Sequence, residues 1–390
     1  MKRGLTAPIR SSYADAADFL RALCIFFIAW FHIWQQSWLN PNFTLLGHPV
    51  DIYPVVACGY MFVDLMLALS GFLLMLGFLN GRDRAPCRFY VARAARILPS
   101  YWFCLIVVLF CFALPGHEFG SASRMWKDLL SHLSFTHNLL TEGYNGTRLN
   151  VALWTLAVEV QFYLIFPLLA RAFEKKPLLT WALMCAFGMG MRYFVYKTYP
   201  DTTLYFNRLP AMMDVYANGM LAAWAYFRLK DARPAVWRAA LSTLLAIGCC
   251  VLTYRILRAQ YYRGGGENLR LGQMIWRFPL SALGGVFLLC GSRALRPVRA
   301  LLSNPVTRFL SGISFNYYIW HQYLAVKLKA WHIPPYSVEK PNVEGIQPWQ
   351  THYTLLCFGA ALALSVLLTY ALERPCARWI KKRFMQRKSA

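Results

Sequence analysis

Apolar residues gather in ten long runs, near 17–38, 55–79, 98–114, 152–170, 178–197, 209–227, 236–257, 272–291, 306–328 and 352–372. Each approaches the ~20 residues a helix needs to cross ~30 Å of hydrocarbon at ~1.5 Å per residue. The run at 98–114 is short, and the run at 209–227 is the most polar. The pattern predicts an all-α fold, a polytopic membrane helix bundle of about ten transmembrane helices. It reads as a single membrane domain over 1–390 with no appended soluble domain, since the longest outer segments are 115–151 and 329–351. The first run contains Arg21 and His32 and lacks an A-x-A cleavage site, so it is expected to stay in the mature protein. No internal repeat suggests the inverted halves of a transporter, and Gly264-Gly265-Gly266 reads as a turn rather than a phosphate loop.

The basic residues sort the loops into two sets. One set holds Lys2, Arg3 and Arg10; Arg82, Arg84, Arg88, Arg93 and Arg96; Arg171, Lys175 and Lys176; Arg228, Lys230 and Arg233; Arg293, Arg296 and Arg299; and the tail from Arg374 through Arg378, Lys381, Lys382 and Arg383 to Arg387 and Lys388. In the other set, loop 39–54 has none, and loop 115–151 balances its cations with carboxylates. Loop 258–271 disagrees, with Arg258, Arg263 and Arg270. The bias places both termini in the cytoplasm and the helices in the cell (plasma or inner) membrane. Composition agrees: 58 % of residues are apolar and 15 % charged, against ~25 % charged in soluble domains. The net charge of +24 does not indicate nucleic acid, because the cations lie between apolar runs and not on one aromatic-interleaved face. The lipid bilayer and an anionic cytosolic ligand are the expected partners; oligomeric state stays open. The 11 Cys lie mostly inside apolar runs and form no CxxC pair, so no metal or redox site is expected.

Ionisable groups within hydrocarbon are costly and mark function. Arg21 and His32 are eleven positions apart, about three turns, so they share a helix face about 16 Å apart along the axis. His32 sits some 9 Å below the outer surface on the same helix-rise estimate. Glu159 and His321 fall near that depth, and Asp64 somewhat deeper, so these four are expected to converge in the outer half. Arg93 and Arg96, three apart, share a face and with Arg21 suit a phosphate-rich ligand. Competing readings remain beside these: Arg93 and Arg96 as positive-inside anchors, His321 as a packing histidine, Asp64 as partner to a buried Arg, Ser70-Gly71 as a packing pair. The layout suggests a two-sided reaction. A charged donor docks at the basic face, its acyl arm reaches ~15–20 Å along the bundle, and neutral His32 takes a proton from an acceptor hydroxyl. Glu159 would orient that imidazole or stabilise its cation.

The same residues carry a resemblance to the acyltransferase-3 family of integral-membrane O-acyltransferases, which covers nearly the whole chain. Asp18-Phe19-Leu20-Arg21 through His32 is similar to the family's Arg-x10-His motif. Val63-Asp64-Leu65 running into Leu69-Ser70-Gly71-Phe72-Leu73, Arg93-Ala94-Ala95-Arg96-Ile97-Leu98-Pro99-Ser100-Tyr101, and Trp154-Thr155-Leu156-Ala157-Val158-Glu159-Val160-Gln161-Phe162-Tyr163 resemble three further blocks. Weaker likenesses run from Arg208 to Gly219, from Ile313-Ser314 to Trp320-His321, and at Glu373-Arg374-Pro375. The sequence departs from the family pattern at Ala92, Leu65-Met66 and Val160. The resemblance implies acyl-CoA as donor from the cytoplasm, acetyl-CoA first, and a hydroxyl acceptor outside, such as a cell-surface glycan. It implies that His32 is catalytic with Arg21 supporting it, and that Arg93 and Arg96 form the coenzyme site; the reading of the residues adds Glu159 to the catalytic set and Arg21 to the coenzyme site. Trp154, Asp64, His321 and Arg208 are the expected substrate-binding residues. Two other classes fit a polytopic bundle with intramembrane charges: a transporter or flippase for a lipid-linked glycan, and a sensor or scaffold without turnover.

Overall fold

The computed structural model describes residues 15–82, 84–229, 235–264, 267–337, 345 and 347–385, and every apolar run is helical in it. The longer helices are α1 (Asp15–Ser37), α2 (Phe62–Leu79), α3 (Pro86–Val108), α4 (Ala122–Leu133), α5 (Trp154–Lys175), α6 (Pro177–Thr198), α7 (Met213–Arg228), α8 (Val236–Tyr262), α9 (Glu267–Gly291), α10 (Pro305–Ala330), α11 (Pro348–Leu368) and α12 (Arg374–Met385). Proline opens α3, α6, α10 and α11, where its missing N–H is not needed and its fixed φ already suits a helix. Asn304 caps α10, accepting from the N–H groups of Val306 and Thr307 at 2.9 and 3.0 Å. The cations at Lys2, Arg3, Arg10, Lys230, Arg233, Arg387 and Lys388 lie outside the described residues.

Among the described residues, eight helical stretches are long and apolar enough to cross a membrane. The other two expected spans, α7 and α10, are helices of another kind. α7 has only 16 residues, and α10 carries Asn316, His321, Lys327 and Lys329. α7 packs against α2, α6 and α9, and α10 against α1 and α11. A helix walled by protein can hold polar groups because they find partners there. In α7, Asp214 takes a two-pronged ion pair from Arg192 of α6, both contacts at 2.6 Å, and Asn218 accepts from the Trp181 indole at 2.9 Å. A Cβ at Gly219 would run into the carbonyl oxygen of Ala68, and one at Gly71 into that of Tyr216. α2 and α7 therefore meet backbone to backbone, as small residues permit.

α3 starts well before the expected position 98, at Pro86. Arg88, Arg93 and Arg96 consequently belong to a helix and not to a loop, and α3 continues through a π-helical stretch at Leu109–Ala113. A second π-helical stretch, Thr369–Glu373, joins α11 to α12. Both ends of the described chain meet at one end of the bundle, where Asp18 and the α12 residues Arg374 and Arg378 line the same cavity. At the opposite end the loops form a cap. A hairpin pairs Phe43–Leu45 with His48–Val50 through Leu46 and Gly47, both at positive φ. α4 covers the bundle there; the Tyr101 hydroxyl donates to the His132 carbonyl at 2.8 Å, and the Asn150 amide donates to that of Ile319 at 2.7 Å.

Candidate active site

Three cations on two helices define the basic end. Arg21 of α1 and Arg93 and Arg96 of α3 border two adjoining spaces. The outer one is a wide mouth of about 840 Å³, rimmed also by Arg308, Arg374, Arg378 and Lys381. The inner one is a small chamber of about 90 Å³ reaching Ser70, Thr155, Glu159, Tyr163 and Tyr318. Arg93 stacks over the rings of Phe89 and Tyr163, at 5.4 and 5.9 Å from their centres. Its spacing to Arg96 is the helical i, i+3 pattern, which is why both reach the same space. Arg21 NH1 is 3.5 Å from the Ser311 hydroxyl of α10.

In the chamber, Glu159 of α5 accepts from the Ser70 hydroxyl at 2.6 Å and from the Tyr163 hydroxyl at 2.5 Å. These are short, charge-assisted bonds. Tyr318 of α10 lines the same chamber, and its hydroxyl lies 2.7 Å from that of Thr155. Its ring centre is 5.5 Å from that of His321, and its carbonyl accepts from His321 Nδ1 at 2.7 Å. A carbonyl oxygen can only accept, so Nδ1 carries the proton and Nε2 of His321 is left as a lone-pair site. That Nε2 is buried without a hydrogen-bond partner.

His32 lies beside it, its ring centre 5.3 Å away and tilted by 45°. His32 Nδ1 is 3.0 Å from the Gln35 side-chain oxygen, one turn along α1. Donation to that oxygen places the proton on Nδ1 and exposes the Nε2 lone pair, the arrangement a general base requires. The shared face expected of Arg21 and His32 is present, since both turn toward α10, Arg21 to Ser311 and His32 to His321.

The expected convergence of four residues is half realised. His32 meets His321, but Glu159 takes its hydrogen bonds from Ser70 and Tyr163 in the chamber. The expectation that it holds the imidazole of His32 is corrected accordingly: the hydrogen-bond partner of that ring is Gln35. Asp64 lies 3.0 Å from Arg277 Nε of α9, both buried, which matches its reading as a partner for a buried arginine. Ser70-Gly71 divides its labour: Gly71 lets α2 approach α7, while the Ser70 hydroxyl serves Glu159. Trp154 stands edge-on to Tyr144 at 5.8 Å. Arg208 donates to the Leu139 carbonyl at 2.8 Å and covers the Tyr205 ring at 4.4 Å, so both residues belong to the cap.

Gln35, Tyr163 and Tyr318 were legible as helical neighbours of His32, Glu159 and His321, three or four positions away. Ser70 and Thr155 carried no such signal, because their partners come from other helices. Among the described residues, no group of three or more His, Cys, Asp or Glu side chains is placed to hold a metal ion.

The family model for an acyltransferase domain, acyltransferase-3, matches residues 15–371. A predicted O-acetyltransferase of Staphylococcus aureus strain COL is 24 % identical over 344 residues, covering 82 % of this chain and 52 % of that protein. A peptidoglycan O-acetyltransferase of Listeria monocytogenes is 24 % identical over 364 residues, 88 % of this chain and 53 % of the relative. A predicted acetyltransferase of the Acidianus two-tailed virus is 26 % identical over 320 residues, 80 % of this chain and 84 % of the viral protein. The chain spans about half the length of the two bacterial relatives. No solved structure matches it significantly.

Proposed function

Since the chain belongs to the acyltransferase-3 family, we propose that it is a membrane O-acyltransferase that moves an acyl group, acetyl first, from cytoplasmic acyl-CoA to a hydroxyl of an acceptor outside the cell membrane. A cell-surface glycan is the acceptor class, and the Listeria relative, named for peptidoglycan, supports a sugar hydroxyl. Both termini lie on the cytoplasmic side in this reading, where the basic mouth opens. The observation that carries it is the succession of neighbours from mouth to histidine pair: Arg21, Arg93 and Arg96 line both spaces, and Tyr318 lines the inner one while its carbonyl accepts from His321.

Each part has a task along that line. Arg21, Arg93 and Arg96 hold the phosphates of the donor, which carries its charge at one end and its thioester at the other. The acyl arm enters the chamber past Glu159 and Tyr318. The acceptor hydroxyl approaches from the cap side and attacks the thioester carbonyl. His32 Nε2 takes the hydroxyl proton as the new C–O bond forms. The C–S bond then breaks, and the imidazolium returns that proton to the departing thiolate. A thioester is the more activated of the two esters, so transfer to a hydroxyl runs downhill and the protein must supply proximity and proton transfer. Glu159, anchored by Ser70 and Tyr163, is a fixed negative charge facing the arginines and keeps the chamber ordered.

The test is transfer or hydrolysis of radiolabelled acetyl-CoA by protein purified in detergent, wild type beside His32→Ala. Turnover in the wild type, lost in the variant with coenzyme A binding retained, is the expected result. Folded protein that neither binds coenzyme A nor turns over acetyl-CoA would remove the enzyme reading and favour a glycan transporter.

A further inference from the structure

The mouth holds more cations than a pyrophosphate needs, and they stand in two tiers. The deep tier is Arg21, Arg93 and Arg96, which also border the chamber. The rim tier is Arg308, at the start of α10, with Arg374, Arg378 and Lys381 of α12; none of these borders the chamber. On α12 the mouth-lining positions are 374, 377, 378 and 381. That is the i, i+3, i+4, i+7 stripe of one helix face. The stripe of a surface helix that turns toward its protein is usually apolar; here it is cationic, while Trp379 and Phe384 are exposed, at 66 and 56 %. Trp379 and Phe384 do not line the mouth and suit the lipid boundary, while Arg374, Arg378 and Lys381 line the cavity.

The placement of α12 is built into the bundle. The buried Asn316 amide of α10 donates to Thr369 Oγ1 at 2.9 Å and to Glu373 Oε2 at 2.8 Å, gripping the π-helical turn from which α12 departs. α12 then packs along α3, the helix that carries Arg93 and Arg96. Arg374 lies over the Tyr370 ring at 4.2 Å. Among the described residues lining the mouth, Asp18 and Glu373 are the carboxylates that offset its cations, and Glu373 is engaged by Asn316.

We infer that the rim formed by Arg308, Arg378 and Lys381 is a second phosphate subsite, which receives the 3′-phosphate of the coenzyme A ribose and so selects the phosphorylated donor. The inference rests on the acyl-CoA reading proposed above and adds a specificity to it. The order of groups along the donor matches the order of spaces along the protein. The acyl thioester belongs with the histidine pair, the pantetheine arm with the chamber, and the pyrophosphate with the deep tier. The ribose phosphate then falls next outward, at the rim. Terminal phosphate dianions and anionic lipid head groups share the chemistry the rim offers, so the test separates them.

The test measures KM and kcat for acetyl-CoA and for acetyl-dephospho-CoA, which lacks only the 3′-phosphate, with protein in phosphatidylcholine nanodiscs free of anionic lipid. The expected result for the wild type is a KM about tenfold higher for the dephospho donor, the loss of about one charge-assisted contact, at similar kcat. In R378Q/K381Q the ratio of the two KM values falls to about twofold or less, the lost contact being the same one; in R378K/K381R, which keeps the charges, the ratio is largely restored. Equal KM values in the wild type overturn the subsite and leave the acyl-CoA reading standing, as does a preference that persists in R378Q/K381Q. A variant defect that emerges only when phosphatidylglycerol is added makes the rim a lipid anchor and overturns it too. Absence of turnover with either donor in folded wild-type protein removes the acyl-CoA reading and the subsite with it.

Discussion

His32 of α1 and His321 of α10 hold their ring centres 5.3 Å apart, each with Nδ1 tied to an oxygen on its own helix, Gln35 Oε1 and the Tyr318 carbonyl. Both imidazoles are thereby set with Nε2 as the basic atom, on two helices that run in the same direction. The expected consequence is an unequal pair. His32→Gln loses about 10²–10⁴-fold in kcat, the range of a general base. His321→Gln loses less and leaves the KM for acetyl-CoA unchanged, since it is remote from the arginines. Steady-state kinetics on both variants checks this; equal, small losses would remove His32 from the chemical step.

Arg192 and Asp214 are fully buried and paired at two points. Removing one partner strands a charge. Asp214→Leu should therefore cost about 3–5 kcal/mol, and the double variant Arg192→Met/Asp214→Leu should recover most of it. Thermal unfolding in detergent distinguishes the cases. A double variant no better than the single one would mean that the bond from Arg192 to the Ala211 carbonyl, 2.7 Å long, matters more than the ion pair.

The cap contains a buried cluster in which the His132 and His137 rings stack at 4.0 Å and Asp128 lies 3.0 Å from His132 Nδ1. Burial first, and the neighbouring His132 second, push the His137 pKa well below that of a free histidine. A lowered folded pKa means that the unfolded chain takes up the proton first as pH falls. The contribution of His137 is therefore complete above ~6.5 and is lost below it, at up to about 1.4 kcal/mol per pH unit. Melting temperatures from pH 7.5 to 5 should fall for the wild type and fall less steeply for His137→Asn. Parallel slopes would show that another group titrates.

Gly219 and Gly248 offer a matched pair. A Cβ at Gly219 meets the Ala68 carbonyl, while one at Gly248 meets nothing within 4 Å. Gly219→Ala should destabilise by about 1–3 kcal/mol or more, as overpacking does. Gly248→Ala should be neutral or mildly stabilising, by up to about 1 kcal/mol, through helix propensity. Melting temperatures of the two variants settle it, and indifference at Gly219 would contradict the close approach of α2 and α7.

The residues of the site were more legible than their partners. His32, Arg21, Arg93, Arg96 and Glu159 stand out in the sequence because each is an ionisable group in or beside an apolar run. Helix periodicity then puts Arg21 and His32 on one face, and the structure turns that face to α10. Depth estimates were the weak step. Glu159 is expected level with His32, yet it lines the chamber beside Arg21, Arg93 and Arg96, and depth also leaves the direction of each side chain around its helix open. Asp64 turned to Arg277 and Glu159 to Ser70 and Tyr163.

What the sequence alone determined is the class of the molecule: a helical membrane bundle with most of its cations toward one end and a few costly polar groups inside. These follow from length, hydropathy and spacing, which are local properties that each segment carries by itself. Only the tertiary structure decided that α7 and α10 are walled by protein, that α3 reaches back to carry Arg93 and Arg96 into the bundle, and that α12 swings its basic face over the mouth. Those outcomes depend on which helix faces which. That choice is made by side chains far apart in sequence, Asp214 with Arg192 or His32 with His321, that must satisfy one another once water is gone.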